Sequence, residues 1–274
     1  MTPSISIIIG NRNEAQYLRH VLKAIKMQEY PDYEVILVDN CSTDESAELA
    51  RQAGAKIVTI ERFTYGSALN LGINAARGEI IVILSAHAVP LGPHFLTECA
   101  KPFNDPLIAA VRCVYAGKSS DRRLWLDPQV IKGDVDYWDL SAVAPLASGC
   151  AIRRSVWEQI PFDEKALAAE EKLWCVHALE KGFQIYSAAP AFYDYIKKYP
   201  LKIRLRRQQE QILAACYTIG GGREPVLSVL GKGCVETLRA AFISAPVAAF
   251  RALARPLLVT YFKLFLAFQM KRPD

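Results

Sequence analysis

The sequence has no Cys-x-x-Cys pair, no internal repeat and no low-complexity segment. Its seven cysteines are an odd number without metal-ligand spacing, so neither a disulfide framework nor a thiolate zinc site is indicated. We therefore expect reduced thiols and a cytoplasmic protein. The start, Met1-Thr2-Pro3 followed by a short apolar run, lacks the basic lead and the small-residue cleavage site of an export signal, so secretion is not predicted.

Apolar residues make up 51% of the 274 residues and charged residues 22%, which excludes intrinsic disorder and collagen-like repeats. The formal charge of +5 conceals an uneven distribution. Residues 1–194 carry 19 Lys/Arg against 24 Asp/Glu, whereas residues 195–274 carry 14 against 4. A basic part of this kind suits nucleic acid, an anionic membrane surface or phosphate groups, and composition alone does not choose among them.

The first half of the chain predicts alternating strands and helices. Apolar runs at 4–9, 34–38, 56–60 and 79–84 are predicted strands buried on both faces, with helical patterns between them. Ser42 and Glu45 have the spacing of a capping box that begins the second helix. Further along, a strand is predicted at 108–114 and a helix at 168–181. This order implies an α/β fold with a parallel sheet.

In open sheets of this kind ligands bind beyond the carboxyl ends of the strands, so segments 11–14, 39–42 and 85–87 should converge. Asp39 ends the second strand and has two interpretations. It accepts hydrogen bonds from a ligand N–H, such as that of a pyrimidine base, or it only caps the turn that follows. Because Ser42 and Glu45 already account for the helix cap, Asp39 has no evident structural task, which favours ligand binding.

His87 follows the fourth strand, where a metal ligand or a phosphate contact would be most useful. A lone histidine is more often structural, but Asp194 and the basic run after it offer partners. An imidazole, a carboxylate and several cations suit a diphosphate, with or without a divalent ion. The alternative for the basic run is a solvated helix face.

Glu170 and Glu171 begin the helix at 168–181 and are followed by Trp174. Acidic residues in a first turn favour the positive end of the helix dipole, so a solvated face is one interpretation. Adjacent carboxylates beside a Trp also suit a general base under an acceptor ring. Such a base typically contributes a factor of about 10² to 10⁴ in rate.

The C-terminal part is basic and apolar, with a helical pattern. Within it, Ala240–Phe250 and Pro256–Phe262 lack charged residues but are too short to cross a bilayer. The apolar positions of residues 257–268 fall on one side of a helix, which fits either a membrane interface or packing against the core.

Several of these segments resemble glycosyltransferase family 2, whose members share the GT-A fold. Residues 4–14 resemble the family's first strand and its Tyr-Asn-Glu loop, and residues 35–46, VILVDNCSTDES, resemble its Val-Asp-Asp-x-Ser-x-Asp-x-Ser/Thr segment. Segments 69–79, 147–164 and 169–174 are similar to the helix before its Asp-x-Asp motif, its acceptor-side strand and its Glu-Asp-x-x-Trp pattern. The resemblance covers roughly residues 4–210. It implies a GT-A domain over residues 1–200, with a Rossmann-like, mostly parallel sheet, and a helical C-terminal region over 201–274.

The resemblance also implies roles for the candidate residues. Glu171 takes the place of the catalytic Asp, and Glu170 is able to share or take that role. The acceptor would lie against Trp174. The residues expected to hold the nucleotide sugar are Asn11, Asn13, Asp39, Asn70, Ser85 and Arg207.

Ser85-Ala86-His87 stands where the family has Asp-x-Asp, so neither end carries a carboxylate. In the family the second Asp binds the divalent ion that bridges the nucleotide diphosphate, and a downstream His often completes the site. One hypothesis is that these ligand types are exchanged, with His87 and Asp194 holding Mn²⁺ or Mg²⁺. Imidazole suits softer ions, so Mn²⁺ would be preferred. The other is that the metal is lost and cations such as Arg206 and Arg207 stabilise the leaving diphosphate.

The implied reaction is inverting transfer of a hexosyl or deoxyhexosyl group from a nucleoside diphosphate sugar to an acceptor hydroxyl, in bacterial-type cell-surface polysaccharide or glycolipid synthesis. A glycan or lipid-linked acceptor at the inner face of an anionic membrane, with the protein peripheral to it, fits the basic C-terminal part. One alternative is a nucleotide-sugar-binding scaffold of a membrane assembly that has lost catalysis. The other is nucleic-acid binding through the tail, which is disfavoured because the tail lacks a recognition motif.

Overall fold

The computed structural model describes residues 2–117, 124–135, 140, 144–145, 147–166, 169–200 and 203. The chain divides into two compact units, Met1–Tyr199 and Pro200–Asp274, and nearly all described residues belong to the first. Arg206, Arg207 and the apolar C-terminal stretches lie outside the described residues. Among the residues that are described, no helix combines the length and the apolar character needed to span a bilayer.

The helices and strands of the first unit alternate as far as the fourth strand. In chain order they are β1 (Ile5–Asn11), α1 (Ala15–Lys26), β2 (Tyr33–Asp39), α2 (Ser46–Gln52), β3 (Lys56–Thr59), α3 (Tyr65–Asn74), β4 (Ile80–Ser85), β5 (Ala88–Pro90), α4 (Phe95–Ala100), a 3₁₀ turn (Lys101–Asn104), β6 (Ile108–Tyr115), β7 (Val130–Ile131), β8 (Gly149–Arg153), α5 (Arg154–Trp157), α6 (Glu170–Glu180) and β9 (Gln184–Tyr195).

A single mixed sheet organises the unit, with the strand order β3-β2-β1-β4-β8-β6-β9-β5 and with β7 paired to β9. The four strands β3, β2, β1 and β4 are parallel neighbours. β8 runs antiparallel to both β4 and β6, while β6 and β9 are parallel. The short strands β5 and β7 are antiparallel to β9. The predicted α/β fold with a central sheet flanked by helices is confirmed, and β8 makes its second half mixed.

Apolar side chains cover both faces of the sheet and form two cores. On one face, α1 and α4 contribute Leu18 and Phe95 to the first core. On the other face, α3 contributes Ile73 to the second core. Within β1, Ile7 belongs to the first core and Ile8 to the second, because successive strand residues point to opposite faces. This packing fixes the strands from both sides and so holds their ends in place.

The capping box predicted at Ser42 and Glu45 is wrong. Helix α2 begins at Ser46, and no side-chain hydrogen bond caps it from Glu45. The backbone N–H of Ser46 is bound instead by the Asp44 carboxylate at 3.0 Å. The hydroxyl of Ser42 faces the other way and donates to Asp39 at 2.6 Å. The side chains that cap helices also close turns, so Ser42 serves the strand end and not the helix.

Candidate active site

The carboxyl ends of three parallel strands lie level at one edge of the sheet. Asn11 of β1 pairs with Asp39 of β2, and Gly10 of β1 pairs with Ser85 of β4. β8 starts at the same edge, because it is antiparallel to β4 and its first residue, Gly149, lies opposite Leu84 near the end of that strand. Segments 11–14, 39–42 and 85–87 therefore converge, and the start of β8 joins them.

Asp39 is the centre of a polar network that links the loops after β1 and β2. Its carboxylate accepts hydrogen bonds from Asn11 Nδ2 at 2.8 Å, from the Ser42 backbone N–H at 2.9 Å and from the Ser42 hydroxyl at 2.6 Å. The Asn13 backbone N–H donates to the Ser42 hydroxyl at 2.9 Å, and the Asn13 side chain accepts from the Thr43 backbone N–H at 2.7 Å. Asp39 therefore closes the turn after β2, a structural role that the sequence did not predict.

The same loops hold strained backbone and an unused acceptor. Asn13 and Cys41 have φ angles of 52° and 47°, in the left-handed region. Such a residue costs on the order of 1–3 kcal/mol and persists only where its surroundings enforce it, often at functional sites. Within the described residues, the buried Oδ1 of Asn11 accepts no hydrogen bond. A carboxylate has about four acceptor positions, of which Asp39 uses three. Asp39 thus keeps one acceptor position for a further N–H donor.

Asn70 was predicted to bind the donor, but the structure gives it a structural role. Its Nδ2 donates to the Phe162 carbonyl at 2.9 Å and to Glu164 Oε1 at 3.0 Å. Its Oδ1 accepts from Trp157 Nε1 and from the Phe162 backbone N–H, both at 3.0 Å. These bonds use both donors and both acceptor positions of the amide. Asn70 therefore ties α3 to the segment after β8, and its amide has no polar atom left for a ligand.

We expect Asn70→Ala to lower the free energy of unfolding by about 2–5 kcal/mol, because it leaves two buried N–H groups without an acceptor. The folded variant should bind nucleotide as the wild type does. Urea unfolding and calorimetric titration with nucleoside diphosphates measure the two effects separately. Asn74→Ala, at an exposed position of the same helix, is the control. If Asn70→Ala bound nucleotide more weakly at an unchanged free energy of unfolding, Asn70 would bind the donor as the sequence predicted.

Trp174 was predicted to contact the acceptor, and this also needs correction. The side chain is 2% exposed and belongs to the second core. Its Nε1 donates to the Ile160 carbonyl at 2.5 Å, and its ring centroid lies 5.8 Å from that of Phe162. Because protein encloses the ring, Trp174 anchors α6 to the core and so fixes the two glutamates at the start of that helix.

Glu170 and Glu171 begin α6 directly after Ala169, which has φ 60° and ψ 31°. Glu170 is buried, whereas Glu171 is half-buried. The two carboxyl groups share a hydrogen bond, and the backbone N–H of Ala147 donates to Glu171. Ala147 comes two residues before Gly149, the first residue of β8. Glu171 therefore lies at the sheet edge where β1, β2 and β4 end.

Burial raises the pKa values of both glutamates. Burial raises the pKa of Glu170 well above its usual range, and the charge of Glu171 raises it further. Burial also raises the pKa of Glu171, against the opposing charge of Lys172. Their shared hydrogen bond raises the pKa of Glu170 and lowers that of Glu171. Glu171 is thus the less buried carboxyl group of the pair and is held by its neighbour, which suits a general base.

The predicted metal-ligand pair of His87 and Asp194 is not formed. His87 Nε2 lies 2.5 Å from the Tyr195 hydroxyl, and its Nδ1 lies 3.8 Å from Glu14 Oε2. Asp194 and Tyr195 are consecutive in β9 and point to opposite faces. The Asp194 carboxylate accepts from the backbone N–H of Tyr195 at 2.9 Å. His87 therefore faces Tyr195 and Glu14, while Asp194 points away from it.

The sequence did not predict that Glu14 and Lys197 would meet. Glu14 follows β1 and Lys197 follows β9, yet the Lys197 ammonium contacts Glu14 Oε1. Glu14 was visible as the end of the loop motif, and Lys197 as the first residue of the basic run. Their pairing required knowledge of where β9 runs.

The residues beyond β4 do not fit a divalent metal ion. No three His, Cys, Asp or Glu side chains of the described ranges are grouped so that they could hold a metal. The Glu14 carboxylate already binds an ammonium, and the Nε2 of His87 faces a hydroxyl. Ser85 and Ala86 supply no carboxylate. Mg²⁺ and Mn²⁺ favour several oxygen ligands, and this set offers them one carboxylate, whose Oε1 already holds the ammonium.

Comparison with known sequences places the chain in one family. A sequence model described as glycosyl transferase family 2 matches residues 6–160. An uncharacterized glycosyltransferase of Nostoc sp. is 31% identical over 176 residues, which cover 58% of this chain and 54% of that protein. The O-antigen chain rhamnosyltransferase RfbN of Salmonella typhimurium is 26% identical over 227 residues, 74% of this chain and 69% of that protein. The chain thus spans about half the length of the Nostoc protein.

Solved structures share the fold. The mannosyltransferase PcManGT from Pyrobaculum calidifontis, in complex with GDP-Man and Mn²⁺, has a TM-score of 0.68 at 20% identity, and the match covers 98% of this chain and 84% of that one. Glucosyl-3-phosphoglycerate synthase from Mycobacterium tuberculosis, in complex with Mn²⁺, UDP and phosphoglyceric acid, has a TM-score of 0.62 at 19% identity and 80% coverage of both chains. The fold is therefore GT-A, as the sequence resemblance implied.

Proposed function

The chain belongs to glycosyltransferase family 2, and on this premise we propose that it transfers a sugar from a nucleoside diphosphate to an acceptor hydroxyl with inversion at the anomeric carbon. One observation carries the proposal. The Glu171 carboxylate lies at the same sheet edge as Asp39 and the loops after β1, β2 and β4. A single cleft there would hold a nucleotide at one end and a base at the other.

In this reaction Glu171 removes the proton of the acceptor hydroxyl while the hydroxyl oxygen attacks the anomeric carbon. The bond from that carbon to the diphosphate breaks on the opposite side, and the nucleoside diphosphate leaves with the electron pair. Glu170 holds the Glu171 carboxylate in place through their hydrogen bond. Proton removal contributes a factor of about 10² to 10⁴, and orientation of the two substrates contributes further because it makes the step effectively unimolecular.

The donor would bind along the loops after the first, second and fourth strands. Asp39 has one acceptor position left for an N–H of the nucleobase. Asn13 keeps these loops in register through Ser42 and Thr43. Ser85 ends β4 and is placed to contact the ribose or the diphosphate.

The sugar and the acceptor are proposed from the relatives. RfbN is an O-antigen chain rhamnosyltransferase and PcManGT is a mannosyltransferase, so a deoxyhexosyl or hexosyl group fits both. We assign the product to cell-surface polysaccharide or glycolipid synthesis, with a glycan or lipid-linked acceptor at a membrane surface.

We expect Asp39→Asn to weaken binding of the preferred nucleoside diphosphate about 10- to 100-fold. The reason is that a hydrogen bond to a charged group contributes about 1.5–3 kcal/mol, and about 1.4 kcal/mol corresponds to tenfold. Calorimetric titration with UDP, dTDP, GDP and ADP first identifies the preferred base and then measures the loss. Asp127→Asn, at an exposed position, should bind like the wild type. Unchanged affinity of folded Asp39→Asn for every nucleotide would rule out this base site.

A further inference from the structure

Three polar side chains from distant parts of the chain meet beyond β4. Glu14 follows β1, His87 follows β4 and Lys197 follows β9. Glu14 joins the other two, because its Oε1 contacts the Lys197 ammonium and its Oε2 lies 3.8 Å from His87 Nδ1. The exposed fractions of the side chains are 14% for Glu14, 9% for His87 and 24% for Lys197. The ammonium is therefore the most accessible group of the cluster.

Two aromatic rings flank the Lys197 ammonium. Its Nζ lies 5.7 Å from the ring centroid of Tyr17 and 5.0 Å from that of Tyr199, within the range of cation–π attraction. Among the described residues, Glu14 is the hydrogen-bond partner of this ammonium. An ammonium has three N–H donors, so two remain to bind an anion.

A fixed cation at this place has a chemical use. In the proposed reaction the diphosphate gains negative charge as its bond to the sugar breaks, and a positioned cation stabilises that charge. A divalent ion would find one carboxylate and one imidazole here, and one atom of each already has a partner, since Glu14 Oε1 holds the ammonium and His87 Nε2 faces Tyr195. The cluster that disfavours a metal ion therefore itself supplies a positive charge.

We propose that the Lys197 ammonium binds the diphosphate of the donor in the place of a divalent metal ion. Glu14 and His87 act as positioning residues that hold it at the end of β4. The two N–H groups not used by Glu14 donate to phosphate oxygens, and such charge-assisted bonds are short and strong. This inference rests on the proposed donor binding and adds how the leaving group is held.

The test is calorimetric titration of the full chain with UDP, dTDP, GDP and ADP and with the matching monophosphates, in the presence of EDTA. The wild type should bind one diphosphate without metal, and added Mn²⁺ should not tighten binding. Lys197→Ala should weaken diphosphate binding about tenfold or more, with a smaller effect on the monophosphate. Lys197→Arg, which keeps the charge, should recover part of the loss. Lys198→Ala changes an adjacent exposed lysine and should bind like the wild type.

The outcomes separate this inference from the proposed function. Wild-type binding that appears only with Mn²⁺ or Mg²⁺ would overturn the role of Lys197 while supporting nucleotide recognition. So would equal diphosphate affinity of wild type and Lys197→Ala in EDTA. If the wild type binds none of the nucleotides with or without metal, the proposed function itself fails. Circular dichroism of each variant shows that the compared proteins are folded.

Discussion

Glu171→Gln should reduce the rate of sugar transfer by about 10²- to 10⁴-fold and leave nucleotide affinity unchanged. The amide keeps the size and the hydrogen-bonding capacity of the side chain but does not take up the acceptor proton. The effect is therefore expected in kcat and not in donor binding. Product formation with the preferred donor measures the first quantity, and titration with the nucleoside diphosphate measures the second.

A variant of Glu170 and the pH dependence of activity provide two further tests of the role of Glu171. Glu170→Gln retains an N–H donor to Glu171, so it should keep much more activity than Glu171→Gln. Glu180→Gln, at the exposed end of the same helix, should behave as wild type. A base acts in its deprotonated form, and burial raises the pKa of Glu171. Activity should thus fall as the pH drops through this raised pKa, at a higher pH than for an ordinary glutamate.

Near-normal turnover of Glu171→Gln would show that another group removes the proton, and loss of activity in Glu170→Gln alone would assign that role to Glu170. A wild-type protein that binds nucleotide sugar but neither hydrolyses nor transfers it would support a binding scaffold that has lost catalysis.

Trp174→Ala should lower the free energy of unfolding by about 3–5 kcal/mol, because it leaves a cavity in a close-packed core. Domains of this kind are stable by about 5–15 kcal/mol in total, so the loss is a large part of the whole. The change also removes the contacts with Phe162 and with the Ile160 carbonyl that hold α6. Urea unfolding followed by circular dichroism measures the effect.

Trp125→Ala is the matched control, because Trp125 is 41% exposed and lies against Phe192 at the surface. Its substitution should change the free energy of unfolding far less. If Trp174→Ala had the same free energy of unfolding as the wild type but was no longer saturated by the acceptor, the Trp174 ring would lie in the acceptor site.

The first half of the fold was predictable because β1 and β4 are buried on both faces and β2 is buried in its second half. The prediction that β3 is buried in the same way is wrong, because β3 lies at the end of the strand order and is partly exposed. Continuous apolar runs such as 34–38 and 79–84 have no polar face that would obscure the pattern, and turn residues separate them from the helices. The level strand ends at Asn11, Asp39 and Ser85 follow from the parallel arrangement alone. The sheet edge that carries the proposed site could thus be predicted without knowledge of side-chain contacts.

The rest depended on long-range pairing that local patterns do not encode. β9 contains Pro190 and several tyrosines, and it pairs with three strands, including β6 across irregular register. The contact between Lys197 and Glu14 follows from the path of β9. Asn70 and Trp174 lie in segments that resemble functional motifs, yet the structure uses both side chains for internal bonding. A sequence motif therefore indicates where a residue lies in the fold better than it indicates what the side chain does.

Strand β8, which runs antiparallel to β4 and β6, separates two parts of the proposed cleft along the chain. The nucleotide would be read by loops that belong to the parallel strands, whereas α6, which carries Glu171, is attached through β8 and the segment after it. The hydrogen bonds of Asn70 tie the two stretches together, but each stretch would supply different side chains to the proposed cleft. Side chains that face the incoming alcohol could therefore be exchanged while those that face the nucleobase stay the same.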